Sequence, residues 1–324
     1  MPDLSPDSNP DLEPVRDAGG APVHRVLVGG TASGKKAVAA ELHRRHGLTL
    51  LSMDSMKVYR GMDIGTDKPP PAAVAELGWR LLDLAGHDES YSSARWVEAA
   101  VEVANETRAP LLFAGGTPLY LRLLLRGLFP GPPADPVLRA ELEALWEREG
   151  EAPLRAELRD VDPVLGERLL PGDRKRIVRA LEVHRSTGRA LSDWQREETR
   201  PPLAGRFEVV ALRHPPEHHE RRIRARVERM FDDGLTEEVA ALLARAPFGP
   251  EAGRAIGYEE TRALLAGTLD EAAAKERIAV RTRQLVRKQR MFLASFPEIR
   301  WIDVEPGREV SALADEVGQA LSLG

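Results

Sequence analysis

Residues Gly29-Gly30-Thr31-Ala32-Ser33-Gly34-Lys35-Lys36 have the spacing of a loop that holds phosphate groups. In the full pattern, G-x-x-x-x-G-K-S/T, backbone N–H groups cradle the phosphates, the lysine reaches them and the last hydroxyl meets Mg2+. Here Lys36 stands where that hydroxyl belongs. The flanks suit the motif. Val23-His24-Arg25-Val26-Leu27-Val28 reads as a strand, and Lys36–Arg45 reads as a helix carrying Ala37, Val38, Ala40 and Leu42. A strand, a glycine turn and a helix start gather several N–H groups about one point, which suits an anion. The plainer reading is a strand–turn–helix with surface lysines.

Two further turns carry chemistry-bearing residues. Asp54 follows the apolar run Leu48–Ser52. In an open parallel sheet the carboxyl ends of the strands line the ligand crevice, so Asp54 stands where a general base or a metal-binding carboxylate would stand. Asp is also a favoured helix cap. Ala114-Gly115-Gly116-Thr117-Pro118-Leu119-Tyr120 is again strand into turn into helix. Its glycines let a ligand approach the backbone. Thr117 either caps the helix that Pro118 opens or aims its hydroxyl into the same crevice.

Basic residues come in clusters. Arg174, Lys175, Arg176 and Arg179 form one. Arg221, Arg222, Arg224, Arg226 and Arg229 form a second, with Arg222, Arg226 and Arg229 on one helical face. Arg281, Arg283, Arg287, Lys288 and Arg290 form a third. In a chain of net charge −5 these clusters imply segregated charge, the footprint of a polyanion-binding surface. His218-His219 has no metal-ligand spacing, and the scattered tryptophans fit packing better than a stacking platform.

The elements that must position these residues follow from length and pattern. A chain of 324 residues makes one large or two modest domains. With 42% hydrophobic residues it can bury a sizeable core. The absence of cysteine excludes disulfides, thiolate metal sites and cysteine nucleophiles. No run of about 18 apolar residues is present to span a membrane, and no apolar signal-peptide core opens the chain. Residues 1–22, with Pro2, Pro6, Pro10, Pro14 and Pro22, read as a disordered tail. Strand signals at 23–28, Leu48–Ser52, Trp79–Leu84 and Pro110–Ala114 alternate with helix signals such as Ser93–Glu106. That alternation predicts an α/β parallel sheet with helices on both faces. The first part of the core is placed at 23–133 and a charged helical insertion at 134–202, between Pro130-Gly131-Pro132-Pro133 and Pro201-Pro202. Residues 203–324 complete the core, with strands at Phe207–Leu212 and Arg300–Val304 around C-terminal helices near 216–232, 234–245, 256–266 and 270–296.

Taken together, the motifs resemble the tRNA dimethylallyltransferases (tRNA isopentenyltransferases). The resemblance rests on the Gly-Thr-Ala-Ser-Gly-Lys loop, on Asp54-Ser55, and on Val58-Tyr59-x-Gly61-Met62-Asp63-Ile64-Gly65-Thr66-x-Lys68-Pro69. It continues through Gly115-Gly116-Thr117-x-x-Tyr120, Ala134-Asp135-Pro136, Arg179-Ala180-Leu181-Glu182-Val183, Ile256-Gly257-Tyr258 and Thr282-Arg283-Gln284, covering essentially residues 23–304. The Asp63–Thr66 segment is far more specific than the phosphate loop. The resemblance implies a P-loop NTPase-like core with a helical insertion domain. It implies transfer of a dimethylallyl group from dimethylallyl diphosphate to N6 of an adenine beside the tRNA anticodon, with Mg2+. A cytoplasmic protein is expected, and a monomer, since nothing in the sequence demands a dimer. The family's base corresponds to Asp54, its crevice threonine to Thr117 and its diphosphate-binding arginine to Arg226, while the diphosphate loop is Gly29, Gly30, Thr31, Ala32, Ser33, Gly34, Lys35 and Lys36. Its tRNA-contacting regions correspond to Asp54, Ser55, Met56, Lys57, Thr117 and Arg139, to Lys175, Arg176, Ile177, Val178 and Arg179, and to Arg254, Gly257, Tyr258, Arg283, Arg287 and Lys288.

The chain departs from the pattern at Lys36, so Mg2+ would be held by diphosphate, water or another side chain, or Lys36 would supply part of the positive charge. It departs again at Met291-Phe292, where relatives tend to carry Thr and Trp. Two other readings remain open. A small-molecule or nucleoside kinase shares the loop but wants the hydroxyl and leaves the arginine helices unexplained. A nucleic-acid-binding module with an inactive loop would accommodate Lys36.

Overall fold

The computed structural model describes residues 20–129, 131–197 and 199–323. Most of the anticipated tail and Pro130 of the proline–glycine break lie outside the described residues. The chain divides into two compact units, residues 1–125 with 202–324, and residues 126–201.

The larger unit is built on β1 (Val23–Gly29), β2 (Thr49–Met53), β3 (Leu111–Gly115), β4 (Arg206–Arg213) and β5 (Ile299–Asp303). They form a five-stranded sheet in the order β2-β3-β1-β4-β5, and every pairing is parallel. β1 is central and buried along its whole length, as a parallel strand covered on both faces must be. Alternation along the strands sends Val26, Val28, Leu51, Met53, Phe113 and Ala211 to one core. It sends Leu27, Leu50, Leu112, Val210 and Leu212 to the other. The first face is covered by α3 (Ser93–Glu106), α4 (Pro118–Arg126) and helices that follow β4: α10 (Pro216–Asp232), α11 (Leu235–Arg245), α12 (Tyr258–Leu265) and α13 (Glu271–Leu293). The second is covered by α1 (Lys35–His46), α2 (Pro71–Leu77) and α14 (Val310–Ala320).

The strand expected at Trp79–Leu84 does not form. Only Arg80 bridges to the sheet, opposite Leu51. Leu81 and Asp83 adopt left-handed conformations, φ 62° and 56°, so the apolar run of Leu81, Leu82 and Leu84 cannot stay extended.

The smaller unit is all helical, with α5 (Pro136–Glu149), α6 (Glu151–Val161), α7 (Pro163–Arg168), α8 (Arg174–Thr187) and α9 (Leu191–Gln195). Leu142, Leu154, Leu158, Leu165, Ile177, Leu181 and Leu191 form its core. It begins at Arg126, ahead of the proline break, because its two ends close on each other. Thr199 Oγ1 donates to the Arg126 carbonyl, and Gly127, at φ 78°, leaves no room for a Cβ beside Arg200. Inside, Glu182 is fully buried. It accepts the Asp135 N–H at 2.7 Å, Arg139 Nη2 at 2.7 Å and Arg179 Nη1 at 2.9 Å. No helix among the described residues is long and apolar enough to cross a membrane.

Candidate active site

The phosphate loop joins β1 to α1, and side-chain donors take up its carbonyl oxygens. Lys35 Nζ donates to Gly29 O at 2.9 Å and Gly30 O at 2.8 Å. His219 Nε2 donates to Thr31 O at 2.7 Å, Arg222 Nε to Ala32 O at 2.7 Å, and His214 Nε2 to Ser33 O at 2.9 Å. With the carbonyls held outward, the N–H groups that open α1, which have no partner inside the helix, are left for an anion. Ala32 sits at φ 64° and Gly34 at φ 90°. A non-glycine residue in that region costs on the order of 1–3 kcal/mol, and the Arg222 bond holds Ala32 there. His214 and His219 therefore brace the loop, a role that the spacing of His218-His219 does not reveal. Burial lowers both pKa values, that of His214 to about 4, so both rings stay neutral donors.

Cations surround the loop. Burial, together with Lys57 and Arg226, pushes Lys35 down to about 7 against the opposing pull of Asp54 and Asp67. Lys57 falls to about 8, again chiefly by burial. Arg226, on α10, reaches across to Gly65 O at 3.3 Å, and its Nη1 lies 3.9 Å from Asp67 Oδ2. Lys36 Nζ lies 2.5 Å from Asp67 Oδ1. No group of three or more His, Cys, Asp or Glu side chains among the described residues is placed to hold a metal ion. The loop lacks a hydroxyl at its last position, and Asp67 is already bracketed by Lys36 and Arg226, so these residues do not fit a protein-held Mg2+.

Asp54 stands at the end of β2, with Oδ1 accepting the Met56 N–H at 2.9 Å. Thr117 stands at the end of β3. Its Oγ1 accepts the Ser55 N–H at 3.0 Å, so it ties the two strand ends together across the crevice. Gln289 of α13 joins this turn to the phosphate loop. Its Nε2 donates to Gly116 O at 2.6 Å, and its Oε1 accepts the Thr31 N–H at 3.1 Å. A Cβ at Gly115 would lie 2.0 Å from Met53 O, and one at Gly116 would lie 2.9 Å from Gln289 Nε2. Gly115 is thus required by close backbone packing, while a side chain at Gly116 would press on the Gln289 bridge.

The Asp63–Pro69 segment is held from below. Glu238 accepts the N–H groups of Asp63 at 3.1 Å and Ile64 at 2.7 Å, and the Tyr258 hydroxyl at 2.6 Å. Tyr258 lies directly over Gly65, where a Cβ would approach its ring to 2.3 Å. Lys68 is buried and bonds Tyr59 O, Asp63 Oδ1 and Asp83 Oδ1. Tyr59, Asp63, Lys68 and Tyr258 thus hold the segment in place, while Gly65 O and Asp67 face Arg226 and the phosphate loop. Tyr258 and Gly257, expected against tRNA, are buried, so Tyr258 acts here as packing.

Of the other expected tRNA contacts in this unit, Arg254, Arg283, Arg287 and Lys288 are exposed, and Met56 and Ser55 are partly buried. Arg283 pairs with Glu220 at 3.3 Å. Arg224 pairs with Glu220 and Glu276, and Arg281 with Glu259 and Glu260. The basic clusters are thus laced with acidic partners, and charge is less segregated than the sequence implied. Arg287 and Lys288 have no ion pair among the described residues. In the helical unit Arg176 is exposed beside Asp173, and Arg139 and Arg179 are bound to Glu182. Lys175 is exposed on α8 beside Arg176, whereas Ile177 and Val178 are core residues whose side chains present no surface to a polyanion.

The crevice brings Gly29–Lys36, Asp54, Lys57, Thr117 and Arg226 to one place in one unit. A family model described as IPP transferase matches residues 57–295. The chain belongs to the IPP transferase family. It is 40% identical over 286 residues to a tRNA dimethylallyltransferase of Geobacter sulfurreducens, covering 86% of this chain and 91% of that one. It is 39% identical to a tRNA dimethylallyltransferase of Bordetella petrii, covering 91% and 97%. Among solved structures, a full-length tRNA isopentenylpyrophosphate transferase of Bacillus halodurans matches with TM-score 0.64 and 27% identity, over 93% of this chain and 97% of that one. In this IPP transferase, Asp67, Gln289, His214, His219 and Glu238 join the site without a sequence signal of their own. Their partners lie far along the chain, and no local spacing marks them.

Proposed function

We propose that this enzyme transfers a dimethylallyl group from dimethylallyl diphosphate to N6 of an adenine next to the anticodon of tRNA, releasing diphosphate. The observation that carries the reading is Asp54 at a strand end beside a cationic phosphate loop. The N6 amine attacks the allylic carbon, the carbon–oxygen bond breaks with its electron pair leaving on the diphosphate, and the N6 proton passes to the Asp54 carboxylate. An exocyclic amine is a poor nucleophile, so a carboxylate positioned to take its proton is needed. Lys35, Lys57, Arg226 and the loop N–H groups meet the charge that develops on the leaving group. Thr117 and Ser55 position Asp54. The target base must leave its stack to enter the crevice, and unpaired loop bases are those cheapest to turn out.

Any Mg2+ would arrive on the oxygens of the diphosphate itself, with water completing its shell. The protein works in the cytoplasm as a monomer on this reading, with the exposed cations of α13 and α8 against RNA phosphates. Labelled dimethylallyl transfer to unmodified tRNA is the test. Label above background is expected, and none would overturn the reading. Release of ADP from ATP with a small-molecule acceptor would restore the kinase reading, which the missing hydroxyl at Lys36 disfavours.

A further inference from the structure

Lys36 and Asp67 form an ion pair that the loop motif does not require. Their side chains are 37% and 45% exposed, and an ion pair at such a surface contributes little to stability. Its position is what makes it informative. In the full motif the residue after the loop lysine gives a hydroxyl to a metal ion. Here an ammonium group stands there, its Nζ 2.5 Å from Asp67 Oδ1 and 3.4 Å from Asp67 O. Arg226 faces the other carboxylate oxygen. Burial alone would raise the Asp67 pKa, and Arg226, Lys57 and Lys36 together outweigh it and hold the group below its ordinary value. Asp67 itself is in the left-handed region, φ 55°, so the backbone aims this carboxylate at the loop at some conformational cost.

We propose that Lys36, steered by Asp67, takes the part that a metal-liganding hydroxyl plays in the full motif. When a diphosphate enters, Nζ turns from Asp67 to the outer phosphate oxygens, and Arg226 keeps Asp67 neutralised. The loop then binds a diphosphate without a protein-held metal, and Lys36 donates to the leaving group as the carbon–oxygen bond breaks. The anion's identity rests on the proposed function; the pairing does not.

The test is calorimetric binding of inorganic diphosphate to the full chain, to Lys36→Thr and to Lys36→Met, each in EDTA and in Mg2+. The rim position of Lys36 leaves the core untouched, and equal melting temperatures would confirm folding. Wild type binds in EDTA. Both variants bind about tenfold more weakly there, the size of one charge-assisted hydrogen bond. Mg2+ restores Lys36→Thr and leaves Lys36→Met weak. Equal affinities of all three proteins in EDTA, or equal response of the two variants to Mg2+, would overturn the proposal. If diphosphate binds as expected but no dimethylallyl group reaches tRNA, the transfer reading fails and this one stands.

Discussion

Asp54 holds the most consequential atoms in the crevice. Asp54→Asn keeps the Met56 bond geometry but cannot take a proton, so kcat falls roughly 100- to 10,000-fold while filter-binding affinity for tRNA is unchanged. Lys35 and Lys57 set the pH response. With their pKa values lowered to about 7 and about 8, the ligand-free site sheds protons as pH rises through that window. Diphosphate needs them charged, so binding takes protons up. The KM for dimethylallyl diphosphate should therefore climb from about pH 7 and steepen above about pH 8, with a log–log slope of about one for each proton taken up. Stability runs the other way. The unfolded chain keeps its lysine protons to higher pH than the folded one, so the ligand-free protein gains stability from about pH 7 toward the ordinary lysine value. A KM series across that range, paired with thermal melts, checks both signs.

At the scale of elements, α13 and α8 each carry one polar residue that organises its surroundings. Gln289 is 7% exposed and bridges the phosphate loop to the Gly116 turn. Gln289→Ala strands both partners, which costs about 1–3 kcal/mol in denaturant melts and raises the KM for dimethylallyl diphosphate. Glu182 is a buried carboxylate held by two arginines and a backbone N–H. Glu182→Ala strands the Asp135 N–H and two partly exposed arginines, at about 1–3 kcal/mol, read as a lower guanidinium midpoint. The elements that were legible in the sequence share one property. β1, α1 and their loop, like α3 behind its Ser92 cap, are marked by contiguous residues. Trp79–Leu84 misled because its apolar residues pack into the core from a left-handed turn, which composition does not reveal. Glu238, His214 and Gln289 went unnoticed because a lone polar residue on a helix or after a strand shows no periodicity.

At the scale of the whole molecule, affinity for tRNA should be electrostatic but modest in reach, because many of the arginines are already paired with carboxylates. Arg287→Ala combined with Lys288→Ala lowers the slope of log affinity against log salt by about one for each RNA phosphate left without its cation, measured by salt titration of filter binding. The same interlacing bears on synthesis. The phosphate loop lies near the start of the chain, yet the groups that hold its carbonyls, His214, His219 and Arg222, and the Gln289 bond to Thr31 N–H come from the far half. The central strand β1 likewise waits for β4. A ribosome makes the motif early but cannot complete it until α13 has emerged. The nascent chain thus carries an unfinished cradle, with no braced diphosphate site, until α13 has been made.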